Sequence, residues 1–280
     1  MLMLAALCFA EPRRRWMSLR LRPPAVKSEL VKAGSGRFLR ITAETGRNGR
    51  PNWNDVKNAA GREASRLLLP RGISPPPEVR IAPFQGTELF RRLMAATAVE
   101  LLKSVSINPR LIKISIYDPQ AAMPDLPLLY LPYASDVRVV TKRPERYKAQ
   151  QYTAMLQFGA VLTVTGETAQ TNGSLLLIAP DGLSQGDENF SVNGWILTTR
   201  YNESYAKGVI HGYLPRVPHS LLTLTPPGCD TVQFLSGLYE LSNVREIAAK
   251  PPEFLQTGGH TITLKDAAWR LAGIDIGISV

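Results

Sequence analysis

The sequence predicts an α/β fold, a parallel sheet with helices on both faces, preceded by a smaller, basic, β-rich region. Three observations carry this reading. Short, almost continuously apolar runs recur from residue 111 onward, the first three are separated by segments long enough for crossover helices, and the excess positive charge lies entirely in the first third. A chain of 280 residues that is 44% apolar and 20% charged has enough apolar surface for a packed core and too little charge for a disordered one. With 2 Cys and 3 His, neither a disulfide scaffold nor a Cys/His zinc site can be assembled. Cys8 and Cys229 read as reduced thiols, and the chain as a soluble cytoplasmic protein with no integral membrane segment.

In chain order, the apolar run Met1–Ala10 reads as a buried first strand that turns at Glu11-Pro12 into a second strand over Trp16–Arg22. A signal-peptide core is the alternative, although no positive residue precedes the run. Ser28–Gly36 and Gly46–Pro51 read as turns, with Arg37–Thr42 between them alternating like a half-buried strand. A helix follows over Asn54–Leu68 with Asn54 as its cap, ending before Pro70. Pro75-Pro76-Pro77 fixes an extended connector, which sets the boundary between a region 1–78 and a domain 79–280. A proline-rich ligand for a partner domain is the sharper alternative.

Residues 1–104 hold 19 basic and 8 acidic side chains, against 14 and 15 in 105–280, which together give the net +10. Arg13, Arg14, Arg15, Arg20, Arg22, Arg37, Arg40, Arg47 and Arg50 therefore form a surface that would attract an anionic partner such as nucleic acid or an acidic membrane. The plainer reading places these arginines on the solvent faces of strands. Only Trp16, Phe38 and Trp53 lie among them as candidate base-stacking platforms.

Within the second domain Val79–Pro83 reads as a short strand. Thr87–Leu102 carries apolar residues at 89, 90, 93, 94, 98, 101 and 102, which is helical spacing. Strands are expected at Leu111–Tyr117, Asp136–Thr141, Ala160–Thr165, Ser174–Ala179 and Gly194–Thr199, with crossover helices at Leu126–Ala134 and Arg146–Phe158. Pro132 must shorten or kink the first of these. Two further helices are expected at Thr231–Leu241 and Leu264–Ala272, the second capped by Thr263 with Asp266 and stopped at Gly273.

The stretch Asp136–Tyr147, with Thr141-Lys142-Arg143-Pro144-Glu145-Arg146 after its strand, resembles the second strand and turn of the NADP-binding Rossmann domain of shikimate dehydrogenases and glutamyl-tRNA reductases. Ile178–Gly182 resembles the loop after a fourth Rossmann strand, so the likeness covers residues 110–185. It implies a Rossmann-like domain in which Lys142 and Arg143 would meet the 2′-phosphate of NADP. The loop after the first strand departs from the family. It reads Asp118-Pro119-Gln120-Ala121-Ala122-Met123-Pro124, with no glycine, two prolines and an acid where a phosphate must approach. The Lys/Asp pair of a shikimate dehydrogenase substrate domain has no counterpart in residues 1–104.

Ligands of open parallel sheets sit outside the carboxyl ends of the strands, which makes Asp118, Thr141, Lys142, Arg143, Thr165, Glu167, Asp181 and Gly182 the candidate ligand-binding residues. Helix caps and turn residues explain the same positions without a ligand. His211, His219 and His260 have no metal-ligand spacing, and Tyr201 or Tyr205 with Lys207 lacks the spacing of a Tyr-x-x-x-Lys pair. The sequence thus leads to a Rossmann-like protein that is non-catalytic or weakly ligand-binding. An NADP-dependent oxidoreductase with an atypical loop, and a nucleic-acid-binding protein, stand as alternatives.

Overall fold

The computed structural model describes residues 3–10, 25–46, 49–183, 190–200 and 208–273. The expected strand Trp16–Arg22, six of the nine N-terminal arginines and the Tyr201–Lys207 segment lie outside them. In chain order the elements are β1 (Ala5–Phe9), β2 (Val26–Ala33), β3 (Gly36–Ala43), α1 (Trp53–Ala60), β4 (Leu67–Leu68), α2 (Glu88–Ser104), β5 (Lys113–Tyr117), β6 (Asp136–Val140), α3 (Lys148–Phe158), β7 (Leu162–Thr165), β8 (Ser174–Ala179), β9 (Val192–Thr198), β10 (Val209–Ile210), β11 (Gly212–Leu214), α4 (His219–Leu222), α5 (Thr231–Leu241), β12 (Phe254–Thr257), β13 (His260–Thr263) and α6 (Leu264–Ala272).

The chain divides into two compact units. One comprises Met1–Leu89 with Arg216–Ala249, the other Phe90–Pro215 with Lys250–Val280. A single cut near residue 78 does not contain the return of 216–249 to the first unit, because that return is made by contacts remote in sequence.

In the first unit the sheet order is β2-β3-β1-β4, with β1 parallel to both β3 and β4 and β2 antiparallel to β3. Alternation along β1 sends Ala5 and Leu7 into a cluster with Ile41, Trp53, Val56 and Leu67, on the side covered by α1. Leu4 faces the other way, against α5. A Cβ on Gly237 of α5 would stand 2.5 Å from Leu4 Cδ1, so only glycine lets helix and strand approach so closely. Phe234 of α5 meets Phe38 edge to face at 5.0 Å.

Three expectations fail in this unit. Val26–Ala33 is a strand rather than part of a turn; its Lys27, Ser28 and Glu29 are exposed, so the segment carries a turn-like composition on a sheet edge. The helix over 54–68 stops at Gly61, whose φ of 57° leaves the helical region, and its cap is Asn52, not Asn54. A 3-10 stretch Gly61–Arg66 and the strand pair β4 occupy the remainder. At Val79–Pro83 only a bridge between Leu67 and Pro83 forms, after a 3-10 turn over Pro77–Val79.

The second unit is a six-stranded, wholly parallel sheet flanked by helices, in the order β10-β9-β8-β5-β6-β7. Numbered from its own first strand, this is the 3-2-1-4-5-6 order of a doubly wound Rossmann fold. The expected strands are present within two residues of their predicted ends. Ile114, Ile116, Leu176, Leu177 and Ile178 are fully buried, each contributing roughly 1.5–3 kcal/mol of apolar burial. At the centre of this apolar sheet Ser115 and Ser174 satisfy each other through a 2.7 Å hydroxyl pair.

The crossover from β5 to β6 is not the expected helix. It forms only a 3-10 turn over Leu126–Leu129, since Pro124, Pro127 and Pro132 remove the N–H donors that a full helix would use. The second crossover begins with a 3-10 turn Pro144–Tyr147 and continues as α3. A small antiparallel sheet, β11-β12-β13, leads into α6, which has the expected Thr263/Asp266 capping box. Trp195 of β9 fastens α6 by donating from its indole N–H to the Ala267 carbonyl at 3.0 Å.

Candidate functional site

The carboxyl ends of β5, β6, β7 and β8 are followed by Asp118, Thr141, Gly166-Glu167 and Asp181-Gly182. Backbone bonds stitch the neighbouring ends together: Asp118 N–H to Val140 O (3.0 Å), Thr141 N–H to Thr165 O (2.9 Å) and Lys142 N–H to Pro119 O (3.3 Å). The sequence-predicted residues therefore share one rim, but their side chains do different things.

Asp118 is fully buried, and its carboxylate is saturated from within the fold. Oδ1 accepts the Ala122 N–H at 2.8 Å; Oδ2 accepts the Met123 N–H at 2.9 Å and the Tyr147 hydroxyl at 2.7 Å. The turn that aims these N–H groups inward passes through Ala121 at φ 53°, a left-handed conformation held without glycine. In a dinucleotide fold the N–H groups of this loop cradle a pyrophosphate. Here the loop's own carboxylate takes that part. Burial pushes the Tyr147 hydroxyl above its ordinary pKa, and its bond to Asp118, the Asp118 charge and the Asp181 charge push the same way. It stays a protonated donor.

Thr141 is buried, and its hydroxyl accepts the Arg143 N–H at 3.1 Å; Thr165 does the same for Glu167 N–H at 3.1 Å. Both act as turn formers. Lys142 and Arg143 are exposed, and among the described residues neither makes an ion pair. Asp181 accepts Arg91 Nη2 of α2 at 2.5 Å, both side chains being largely buried. Gly182 turns with φ 92° against the Arg200 side chain. Tyr147 and Arg91 were not legible as site residues. Each acquires its role only through a partner distant in sequence, and no local motif marks either one.

The remaining candidates resolve differently. Phe38 and Trp53 belong to the core of the first unit, so neither offers a stacking surface. Arg40 pairs with Glu29 at 3.1 Å and lies over the Phe38 ring, the solvent-face role expected of a strand arginine. Among the described residues no group of three His, Cys, Asp or Glu side chains could hold a metal ion, and no helix is long and apolar enough to cross a membrane.

No family model and no curated protein matches the chain. Solved structures similar to it include L-tryptophan dehydrogenase from Nostoc punctiforme, at 14% identity and a TM-score of 0.35 over 84% of this chain and 75% of that one. Quinate dehydrogenase from Corynebacterium glutamicum in complex with NAD is similar at 9% and 0.30, over 75% and 87%. The 5-ketofructose reductase of Gluconobacter is similar at 12% and 0.29, over 84% and 87%. At these scores the assignment of a Rossmann-like domain rests on the chain's own strand order.

Proposed function

We propose that this is a Rossmann-like protein in which the dinucleotide loop is closed by its own side chain, leaving a non-catalytic scaffold or a weak binder of some other ligand. One observation carries the reading. The fully buried Asp118 carboxylate occupies the two loop N–H donors, Ala122 and Met123, and takes a third bond from Tyr147. A pyrophosphate would have to displace a satisfied buried carboxylate and then lie beside its charge. Both the lost hydrogen bonds and the repulsion oppose binding.

The test is calorimetric titration with NADPH and NADH. The expected result is no binding at millimolar cofactor, and tight binding of either overturns the reading. The oxidoreductase alternative is supported by the exposure of Lys142 and Arg143 just beyond β6, where a 2′-phosphate would be met. It requires NADPH to bind in preference to NADH and the preference to vanish in Lys142→Glu with Arg143→Glu.

A further inference from the structure

We propose that the first unit binds a small carboxylate with an apolar body and a hydrogen-bond donor, in a cavity at the tip of the β2–β3 hairpin. The cavity measures about 820 Å³, within the range of roughly 300–1,000 Å³ usual for small-molecule sites. Its described lining residues all belong to the first unit, so it is separate from the rim of the parallel sheet in the second. Met3, just ahead of β1, lines it, which places it at the amino end of that strand rather than the carboxyl end.

The hairpin brings two like charges together there. Directly opposed residues of an antiparallel pair share a face, and like charges so placed repel. On the face that carries Phe38 toward α5, Arg40 stands opposite Glu29 and the two form an ion pair of 3.1 Å. On the other face Lys32 stands opposite Arg37, both exposed, and among the described residues neither has an ion-pair partner. Glu246, at the hairpin tip, has both oxygens engaged: Oε1 accepts the Ser35 N–H at 2.8 Å and Oε2 the Ser35 hydroxyl at 2.7 Å. These bonds pin the tip. A Cβ on Gly36 would stand 2.4 Å from the Ser242 carbonyl oxygen, and Ser242 Oγ accepts the Leu4 N–H at 3.2 Å. The hairpin, the start of β1 and the end of α5 are thus fastened together, and the two cations are held side by side before any ligand arrives.

The rest of the lining names the ligand. Leu30, two residues before Lys32 on the same face and 53% exposed, makes an apolar surface with Met3 and Leu241. Glu63 closes another side, and its Oε2 is buried without a hydrogen-bond partner. A buried acceptor is costly to leave unmet, so a ligand group that donates to it gains more than it would at the surface. Two cations and one carboxylate leave a single positive charge, which a monoanion balances and a phosphate dianion overshoots. A planar carboxylate also matches the fork of the Arg37 guanidinium. With its carboxylate on Lys32 and Arg37, its apolar body on Leu30, Met3 and Leu241 and its donor on Glu63, such a ligand leaves no group of the cavity unmatched.

Calorimetric titration of the full chain with three probes tests the site: phenyllactate, which has all three features, hydrocinnamate, which lacks the hydroxyl, and phenethyl alcohol, which lacks the charge. The expected result is a Kd for phenyllactate of about 1 mM or tighter, roughly tenfold weaker binding of hydrocinnamate and no binding of the alcohol. Lys32→Gln with Arg37→Gln should weaken phenyllactate by at least about tenfold. Glu63→Leu should bring phenyllactate to the level of hydrocinnamate and leave hydrocinnamate no weaker, with thermal unfolding showing each variant folded. If the double variant does not fold, Lys32→Gln alone is read in its place. Failure of the wild type to bind either carboxylate overturns the proposal. So do binding that survives in the folded Lys32 and Arg37 variants, a phenyllactate preference that survives Glu63→Leu, and an alcohol bound as tightly as phenyllactate.

Discussion

Two aspartates in this molecule accept pairs of backbone N–H groups, and they do so for different ends. Asp230 caps α5 at the half-exposed surface of the first unit, accepting Val232 and Gln233 N–H, both at 2.9 Å, with Arg71 as its salt-bridge partner. Asp118 accepts Ala122 and Met123 N–H in the interior of the second unit, with a neutral Tyr147 hydroxyl as its third partner. The first is an ordinary helix cap. The second fills the loop of a fold that elsewhere holds a phosphate there. Burial makes the difference: a capping carboxylate in water can be replaced by solvent, whereas one sealed inside cannot be removed without orphaning three donors.

Removing each carboxylate should separate the two roles. Asp118→Ala is expected to lose about 3 kcal/mol, since two N–H groups and a hydroxyl are left unsatisfied in the interior. The midpoint of urea unfolding measures it, and a loss no greater than that of the surface cap would make Asp118 a turn residue only. Tyr147→Phe should lose about 1.5 kcal/mol, because the carboxylate keeps its two N–H donors. A larger loss than that of Asp118→Ala would show the tyrosine, not the aspartate, to be the organiser of the loop. Asp230→Ala should lose about 1 kcal/mol, the usual value of a helix cap.

The pH profiles should diverge as well. Burial works to raise the Asp230 pKa, but the Gln233 N–H, the bond and charge of Arg71 and the Val232 N–H outweigh it and hold the group below the ordinary carboxylate value. A lowered folded-state pKa means stability present above the unfolded value near 4 and lost as pH falls through the folded one. Acid unfolding should therefore be shallower in Asp230→Ala than in the wild type. Tyr147 has the opposite sign. Its raised pKa gives stability present below about pH 10 and lost above it, a loss that Tyr147→Phe should reduce in alkaline unfolding curves. The smallest effect is expected from Lys142→Glu with Arg143→Glu, within about 0.5 kcal/mol of wild type, because both side chains project into solvent.

The parallel sheet was legible because its central strands are sealed on both faces and read as nearly unbroken apolar runs; all six residues of Ser174–Ala179 and four of the five of Lys113–Tyr117 are buried. β2 was not legible, since an edge strand facing water carries the lysines, serine and glutamate that also make turns. The 126–134 crossover misled for a related reason. Leu126, Tyr130, Leu131 and Ala134 are buried at helix-like intervals, but its prolines permit only one 3-10 turn.

For the rim, the sequence by itself determined that a glycine-free loop with an acid at 118 follows the first strand of the parallel sheet. Only the tertiary structure decided where the acid goes. Tyr147 lies 29 residues further on and reaches Asp118 because β6 lies beside β5 and the chain crosses back before α3. Local spacing fixes which groups are available. Which donor meets which acceptor, and whether water is excluded from the pair, follows from packing between segments remote in the chain, and that exclusion is what makes the Asp118 carboxylate a permanent part of the loop.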